Sequence, residues 1–301
     1  MGKLQPLYIA KPEAADEISA AAEQVLRRAG TIDILPTPID ELIAAADICE
    51  TVDPAPYVKR FLRTLAGRTR ESFAHAIQKL RGLADLRERA IYVPSDGKPA
   101  RALWAKAHEL GHQTIPWHKW NAGYADDERS LTADAQELFD QEANFFASEV
   151  LFQGRRFQRR ARDYTPSLDA VFQLADAYGA SRQATLWRFV EDHDEPVAAV
   201  LYWPSGYVLD ASGKPPLRRG RVVASPAFHA KYAGLEFPAT LDYTHEWSRA
   251  RREHKKAEGE IALDVAGTQV FFQWSAWWNT YCLMVLVRKR PLMRAVTSIF
   301  T

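Results

Sequence analysis

Three side chains in "AKAHELGHQTIPWH" (105–118) have the types and spacing needed for metal-assisted hydrolysis: His108, Glu109 and His112. On a helix, residues four apart project from one side a turn apart, so both imidazoles can reach one small cation. Glu109 is offset sideways, where it can meet a water on that cation without ligating the cation itself. This H-E-x-x-H arrangement supplies two zinc ligands and a general base. Gly111 inside the same helix costs about 1 kcal/mol relative to alanine. Close approach of a neighbouring segment beside a metal site would account for that cost. The pentapeptide is short enough to arise by chance, so its surroundings must support it.

A catalytic zinc takes three protein ligands and keeps a fourth position for water. Two residues compete for the third place. His118 has the spacing of the extended H-E-x-x-H-x-x-G-x-x-H pattern. Ile115, followed by Pro116, stands where that pattern needs its turning glycine. Glu142, in "QEANFFASEVL", lies 142 − 112 = 30 residues after His112, on a predicted helix with Phe145, Phe146 and Val150 on its packing side. A glutamate on an amphipathic helix is ordinarily solvated, and periodicity alone leaves the choice open.

The elements that must position these residues read as follows. Helices are expected over 13–29, stopped by Gly30, and in "LPTPIDELIAAADI", with Thr37 as cap and Pro38 in the first turn. A basic helical pattern runs from about Val58 to Glu88. "AIYVP" (90–94) reads as a strand. The motif helix spans about 100–113, a polar stretch follows at 121–134, and "DAQELFDQEANFFASEVLF" is the next helix. "TPSLDAVFQLADAYGASRQATLWRFVED" forms a helical hairpin broken at Gly179 and capped at Ser181. After Pro196, strand-like runs separated by turn residues take over. A boundary is placed there, giving an α-rich domain 1–195, with its hairpin at 165–193, and a β-rich domain 196–301.

"AKAHELGH" followed by "EANFFASEVL" resembles the paired signature of the ImmA/IrrE family of metallo-endopeptidases. The resemblance extends to "LPTPIDELIAAADI", "ADLRERAIYVP" and "SLDAVFQLADAYGASRQATLWRFVE", and so covers about residues 20–193. It implies an α+β fold: a mainly helical zincin-like metalloprotease domain with a small sheet, followed here by the β-rich C-terminal domain. It also implies Zn2+ held by His108, His112 and Glu142, with Glu109 as the catalytic base. Asn144 and Glu149 match family positions as well, with supporting or packing roles. The implied substrate is a protein, a helix-turn-helix repressor whose cleavage derepresses stress or mobile-element genes. His118, Tyr124 or Arg155 would add a donor to the oxyanion. Strand 90–94 would offer an extended substrate a neighbour to pair with.

Composition excludes some classes and leaves others. The 301 residues carry net charge +1 and 26% charged residues, which gives no whole-chain argument for nucleic acid or an anionic membrane. Cys49 and Cys282 are too few for a disulfide framework or a thiolate cluster. The start lacks an apolar signal-like stretch and the longest apolar run is too short to span a bilayer, so a cytoplasmic location is expected. The five arginines of "GRRFQRRAR" (154–162) read first as a solvated helix face and second as a phosphate-binding strip. "YGASRQATLWRF" (178–189) has a helix-turn-helix look, with a packing hairpin preferred over DNA readout. The tryptophans of the C-terminal region suit a small β core or a sensor of unnamed ligand. Two alternatives stand beside the protease: a non-catalytic regulator binding DNA or a repressor, with a structural or inactive metal site, and an antitoxin-like interaction module.

Overall fold

A computed structural model describes residues 11–51, 83–85, 89–93, 99–118, 133–191, 193–206 and 209–289. The chain divides into two compact units. One takes Ala10–Arg159 together with Leu174–Ser181. The other takes Arg160–Gln173 and the chain from Arg182 onward. The fold is α+β, a helical core and an antiparallel sheet of six strands.

In the first unit, helix α1 (Ala15–Arg28) buries Ile18, Ala22, Val25 and Leu26, one apolar stripe at helical spacing. Gly30, at φ +68°, turns the chain where an L side chain would be strained. Helix α2 (Ile39–Ala45) begins on Pro38, and no side chain caps it. The Thr37 hydroxyl, expected as that cap, donates instead to the Leu151 carbonyl and accepts from the Gln153 amide. A buried carbonyl on another helix is the stronger claim on that hydroxyl.

Strands β1 (Cys49–Glu50), β2 (Leu83–Asp85) and β3 (Ala90–Tyr92) form a small sheet in the order β1-β3-β2. The strand expected at 90–94 is therefore present, at the centre of this sheet. Parallel pairing with β1 and antiparallel pairing with β2 fill both of its edges. That corrects the expectation of a substrate pairing with it, since a strand with both ladders satisfied has no groups left to offer. Residues 83–85 are strand rather than the helix expected across 58–88, and 58–82 lie outside the described residues.

Helix α3 (Pro99–Thr114) carries the H-E-x-x-H segment and packs against β2, β3 and α2. The Gln113 side chain donates to the Ala90 carbonyl at 3.3 Å, tying the helix to the sheet. Helix α4 (Ala133–Phe152) packs along α3 and α1. Its C-terminal end is clamped by Gln153. That buried amide donates to Thr31 and Ile34 carbonyls and accepts from the Asp33 N–H at 2.8 Å.

Helices α5 (Arg155–Ala161), α6 (Leu168–Tyr178) and α7 (Arg182–Glu191) follow. In α5, Arg156 makes a two-toothed pair with Glu23 at 2.7 and 3.0 Å, a structural use of the basic run. Another member, Arg162, pairs with Asp194. Gly179 breaks the hairpin at φ +60°, as expected, and a Cβ there would press on Pro36 at 3.0 Å. In α7 Thr185, Leu186, Arg188, Phe189 and Val190 are buried, and the helix packs on β4 and β5. Such a helix is a packing element first.

The six-stranded sheet runs β6-β5-β4-β9-β8-β7, antiparallel throughout. Its strands are β4 (Val197–Pro204), β5 (Leu217–Ala224), β6 (Thr240–Leu241), β7 (Ala257–Val265), β8 (Thr268–Trp278) and β9 (Leu283–Lys289). The central pair β4 and β9 is buried on both faces along most of its length. That is why "VAAVLY" and "LMVLV" read as unbroken apolar runs rather than alternating ones. Short helices α8 (Pro226–Lys231) and α9 (Arg249–Glu253) pack on this sheet, and Trp247, Trp274, Tyr202, Phe228 and Phe272 fill its core. Among the described residues no helix is long and apolar enough to cross a membrane.

Candidate metal centre

The site is built by α3 and α4, brought close by a glycine. A Cβ on Gly111 would lie 3.2 Å from Phe146 Cδ1 and 3.3 Å from both the Cα and the carbonyl oxygen of Ala143. Those separations are tighter than relaxed contact, so glycine is the residue that lets these helices approach.

On α3, the four-residue spacing stacks His108 and His112, and their Nε2 atoms lie 3.2 Å apart. The structure brings Asp140 of α4 to this pair. Its Oδ1 is 3.7 Å from His112 Nε2 and 4.0 Å from His108 Nε2. Among the described residues, His108, His112 and Asp140 form the group whose donor atoms all fall within 4.8 Å of one another. Glu142, which the resemblance implied as third ligand, is not in that group. Its Oε2 accepts from the Trp117 indole at 2.7 Å and lies 2.8 Å from His118 Nε2.

The other ring nitrogens are also engaged. His108 Nδ1 is 3.1 Å from the Asn144 amide oxygen, which can only accept, so His108 carries its proton on Nδ1. His112 Nδ1 is 3.1 Å from His118 Nδ1. Both ring nitrogens of His118 are thus occupied, which leaves it no N–H for the oxyanion role considered above. Tyr124, the second candidate for that role, lies outside the described residues. Arg155, the third, is exposed.

Burial dominates the electrostatics. It lowers His108 to about 4, with the neighbouring His112 adding to the effect, so this ring is neutral near pH 7. His118 is lowered in the same direction by burial, against the pull of Glu142. Contact with His112 holds the Asp140 carboxyl below the usual carboxylate range. Glu109 is 7% exposed, and burial, with the charge of Asp140 second, raises it to about 8.

The donor chemistry fits a divalent cation. The Nε2 atoms of His108 and His112 lie 3.2 Å apart, and the Asp140 carboxylate closes the third side. Two imidazole nitrogens and a carboxylate oxygen are a donor set that zinc accepts. Sequence reasoning did not single out Asp140 as a candidate ligand, although a signal was present. It precedes Asn144 by four residues, so the two share a helix face, whereas Glu142 points elsewhere.

Comparison with known proteins places this region in a family model. The family model described as IrrE N-terminal-like domain matches residues 68–189, a span that contains the whole of this centre. No curated protein sequence matches the chain significantly. A solved structure of a Mycobacterium tuberculosis transcriptional regulator aligns with a TM-score of 0.52 and 12% identity, covering 90% of this chain and 75% of that one. At such identity the likeness concerns the fold alone. Over residues 68–189, then, the chain carries an IrrE N-terminal-like domain, of the metallopeptidase type.

Proposed function

We propose that the protein is a zinc-dependent endopeptidase that hydrolyses a peptide bond in a protein substrate. His108, His112 and Asp140 hold the metal, Asp140 taking the place first given to Glu142, and Glu109 is the catalytic base. The observation that carries this reading is the pair of histidine Nε2 atoms 3.2 Å apart beside the Asp140 carboxylate. Zinc held by such a set supplies an acidified water and a Lewis acid for the scissile carbonyl. Glu109, one residue beyond the first ligand on α3, would be the base toward a water there in its ionised form, which its rise to about 8 favours only towards higher pH. Asn144 holds His108 in the tautomer that keeps Nε2 unprotonated.

The substrate class comes from the resemblance: a helix-turn-helix repressor in the cytoplasm, cleaved in a stress or mobile-element response. Residues 196–301 would then serve as a regulatory module on the protease. A second reading, a regulator whose metal centre does no turnover, draws on the burial of Glu109 and on the regulator named among similar folds.

Zinc content and chelator-sensitive cleavage of repressor proteins test the proposal. Asp140→Ala and His108→Ala should each lose zinc, and Glu109→Gln should keep zinc yet lose cleavage. Full cleavage by Glu109→Gln would remove the mechanism. Zinc binding without turnover by the unmodified protein would favour the second reading.

A further inference from the structure

The metal chemistry makes no use of the β4–β5 pair, yet one face of that pair is arranged as a ligand platform. Tyr202 stands opposite Arg219 and Val200 opposite Val222, so Gly220 and Arg221 together face the single residue Leu201. That is a β-bulge, a device that re-aims side chains. Tyr202 and Val200 point into the sheet's hydrophobic core, and their cross-strand partners share that face. Alternation then works inwards from both ends of the bulge. Gly220, next to Arg219, and Arg221, next to Val222, both lie on the opposite face. Trp203 and Arg218, an opposed pair one step beyond Tyr202 and Arg219, lie on that face too.

The glycine is filled by an indole. A Cβ on Gly220 would overlap Cζ3 and Cε3 of Trp203, so the six-membered ring rests on the strand through one of its faces. The ring is half-buried, which leaves its other face towards solvent. Arg218 and Arg221, both exposed, follow each other along β5 on either side of the glycine that bears the ring. Among the described residues neither guanidinium meets a carboxylate. None of the exposed large apolar side chains lies on β4 or β5.

We propose that this face of β4 and β5 binds single-stranded nucleic acid, with a base stacked on Trp203 and backbone phosphates on Arg218 and Arg221. Every base has a π face, so stacking on an indole is tolerant of sequence, and the planar guanidinium suits phosphate. A strand carries a phosphate on each side of every base, as the two arginines require, whereas a mononucleotide carries its phosphate on one side only. A protein partner centred on a tryptophan needs surrounding contacts that exclude water, and here the ring is flanked by charge. The site needs neither zinc nor turnover and stands apart from the metal reading.

The experiment uses the full-length chain and a short labelled oligothymidylate, with affinity read by fluorescence anisotropy over a range of salt concentrations. The unmodified protein should bind the strand, more weakly as salt rises. The double variant Arg218→Ser, Arg221→Ser should lower the slope of log affinity against log salt by about 1.4, two contacts at about 0.7 each. Trp203→Leu should weaken binding about five- to 150-fold and leave that slope unchanged. Trp203→Phe should restore part of the loss. A tryptophan that serves packing alone would lower the unfolding midpoint of Trp203→Leu and leave its affinity in place.

No binding of the strand at low salt, or equal binding by the variants, overturns the proposal. A duplex of the same sequence bound as tightly as the single strand would reduce the site to charge and overturn the stacking role. Thymidine monophosphate or an acidic peptide competing as well as the oligomer would assign the face to another ligand. Should Trp203→Leu fail to fold, Trp203→Phe and the arginine slope decide. Metal-free protein should bind the strand equally, so failure to take up zinc sinks the proposed function and leaves this site to its own test.

Discussion

Replacing Gly111 by alanine sets two known effects against each other. Alanine favours a helix interior over glycine by about 1 kcal/mol, so an isolated α3 would gain. Against this, the added methyl would sit 3.2–3.3 Å from Phe146 and from the Ala143 backbone. Relaxed carbon contacts lie at about 3.5–4.0 Å, so the two helices must separate by about 0.2–0.8 Å. Phe146 and Ala143 are fully buried, and two of the three obstructing atoms are backbone, so the helix itself must yield. Overpacking of this kind costs about 1–3 kcal/mol, which leaves a net loss of about 0–2 kcal/mol after the propensity gain. The effect on the metal centre should be larger than the effect on the fold. The 3.1 Å contact from His108 to Asn144 would stretch towards a distance at which it is no longer a hydrogen bond, and Asp140 would retreat with it. Gly111→Ala should therefore show a small shift in urea midpoint with a zinc affinity about tenfold lower. A variant that gains the full propensity term and binds zinc unchanged would refute the argument from close approach.

Two further predictions concern the frame. Gln153→Ala removes the amide that serves the Asp33 N–H and the Thr31 and Ile34 carbonyls, and should cost about 1–3 kcal/mol in urea unfolding; an unchanged midpoint would mean that water replaces it. In the sheet, Gly259 lies opposite Trp274, and a Cβ there would meet the buried indole at 2.8 Å. Gly259→Ala should cost about 1–3 kcal/mol and alter tryptophan emission, whereas unaltered stability and emission would show that the ring has room to move.

Much of the fold was legible because single elements declare themselves by period and punctuation. The stripe of α1, its stop at Gly30, the break at Gly179 and the apolar runs of β4 and β9 all depend on local chemistry that one stretch of chain contains. Features that depend on a partner far along the chain were not legible. Thr37 has the right type and place for a cap, but a carbonyl at Leu151 claims its hydroxyl. "AIYVP" reads as a strand, yet its pairing with β1 and β2 decides that it has no edge to offer. Residues 83–85 sit in a basic helical pattern and become strand through pairing with β3, where ladder bonds outweigh the weak pull of propensity.

The metal centre shows the same division at the scale of single residues. The spacing of His108 and His112 sets their geometry because both belong to one helix turn. The choice between Asp140 and Glu142 depends on which face of α4 meets α3, and the short word "EAN" directs attention to Glu142. Gly111 settles that face, since the residue beneath it is Ala143. Asp140 and Asn144, four residues apart with Ala143 between them, then come to lie along the histidine pair, one at Nε2 and the other at Nδ1. Each helix thus presents a pair four residues apart, with the glycine setting their separation. Glu142 is turned from that seam, and its carboxylate meets Trp117 and His118 instead.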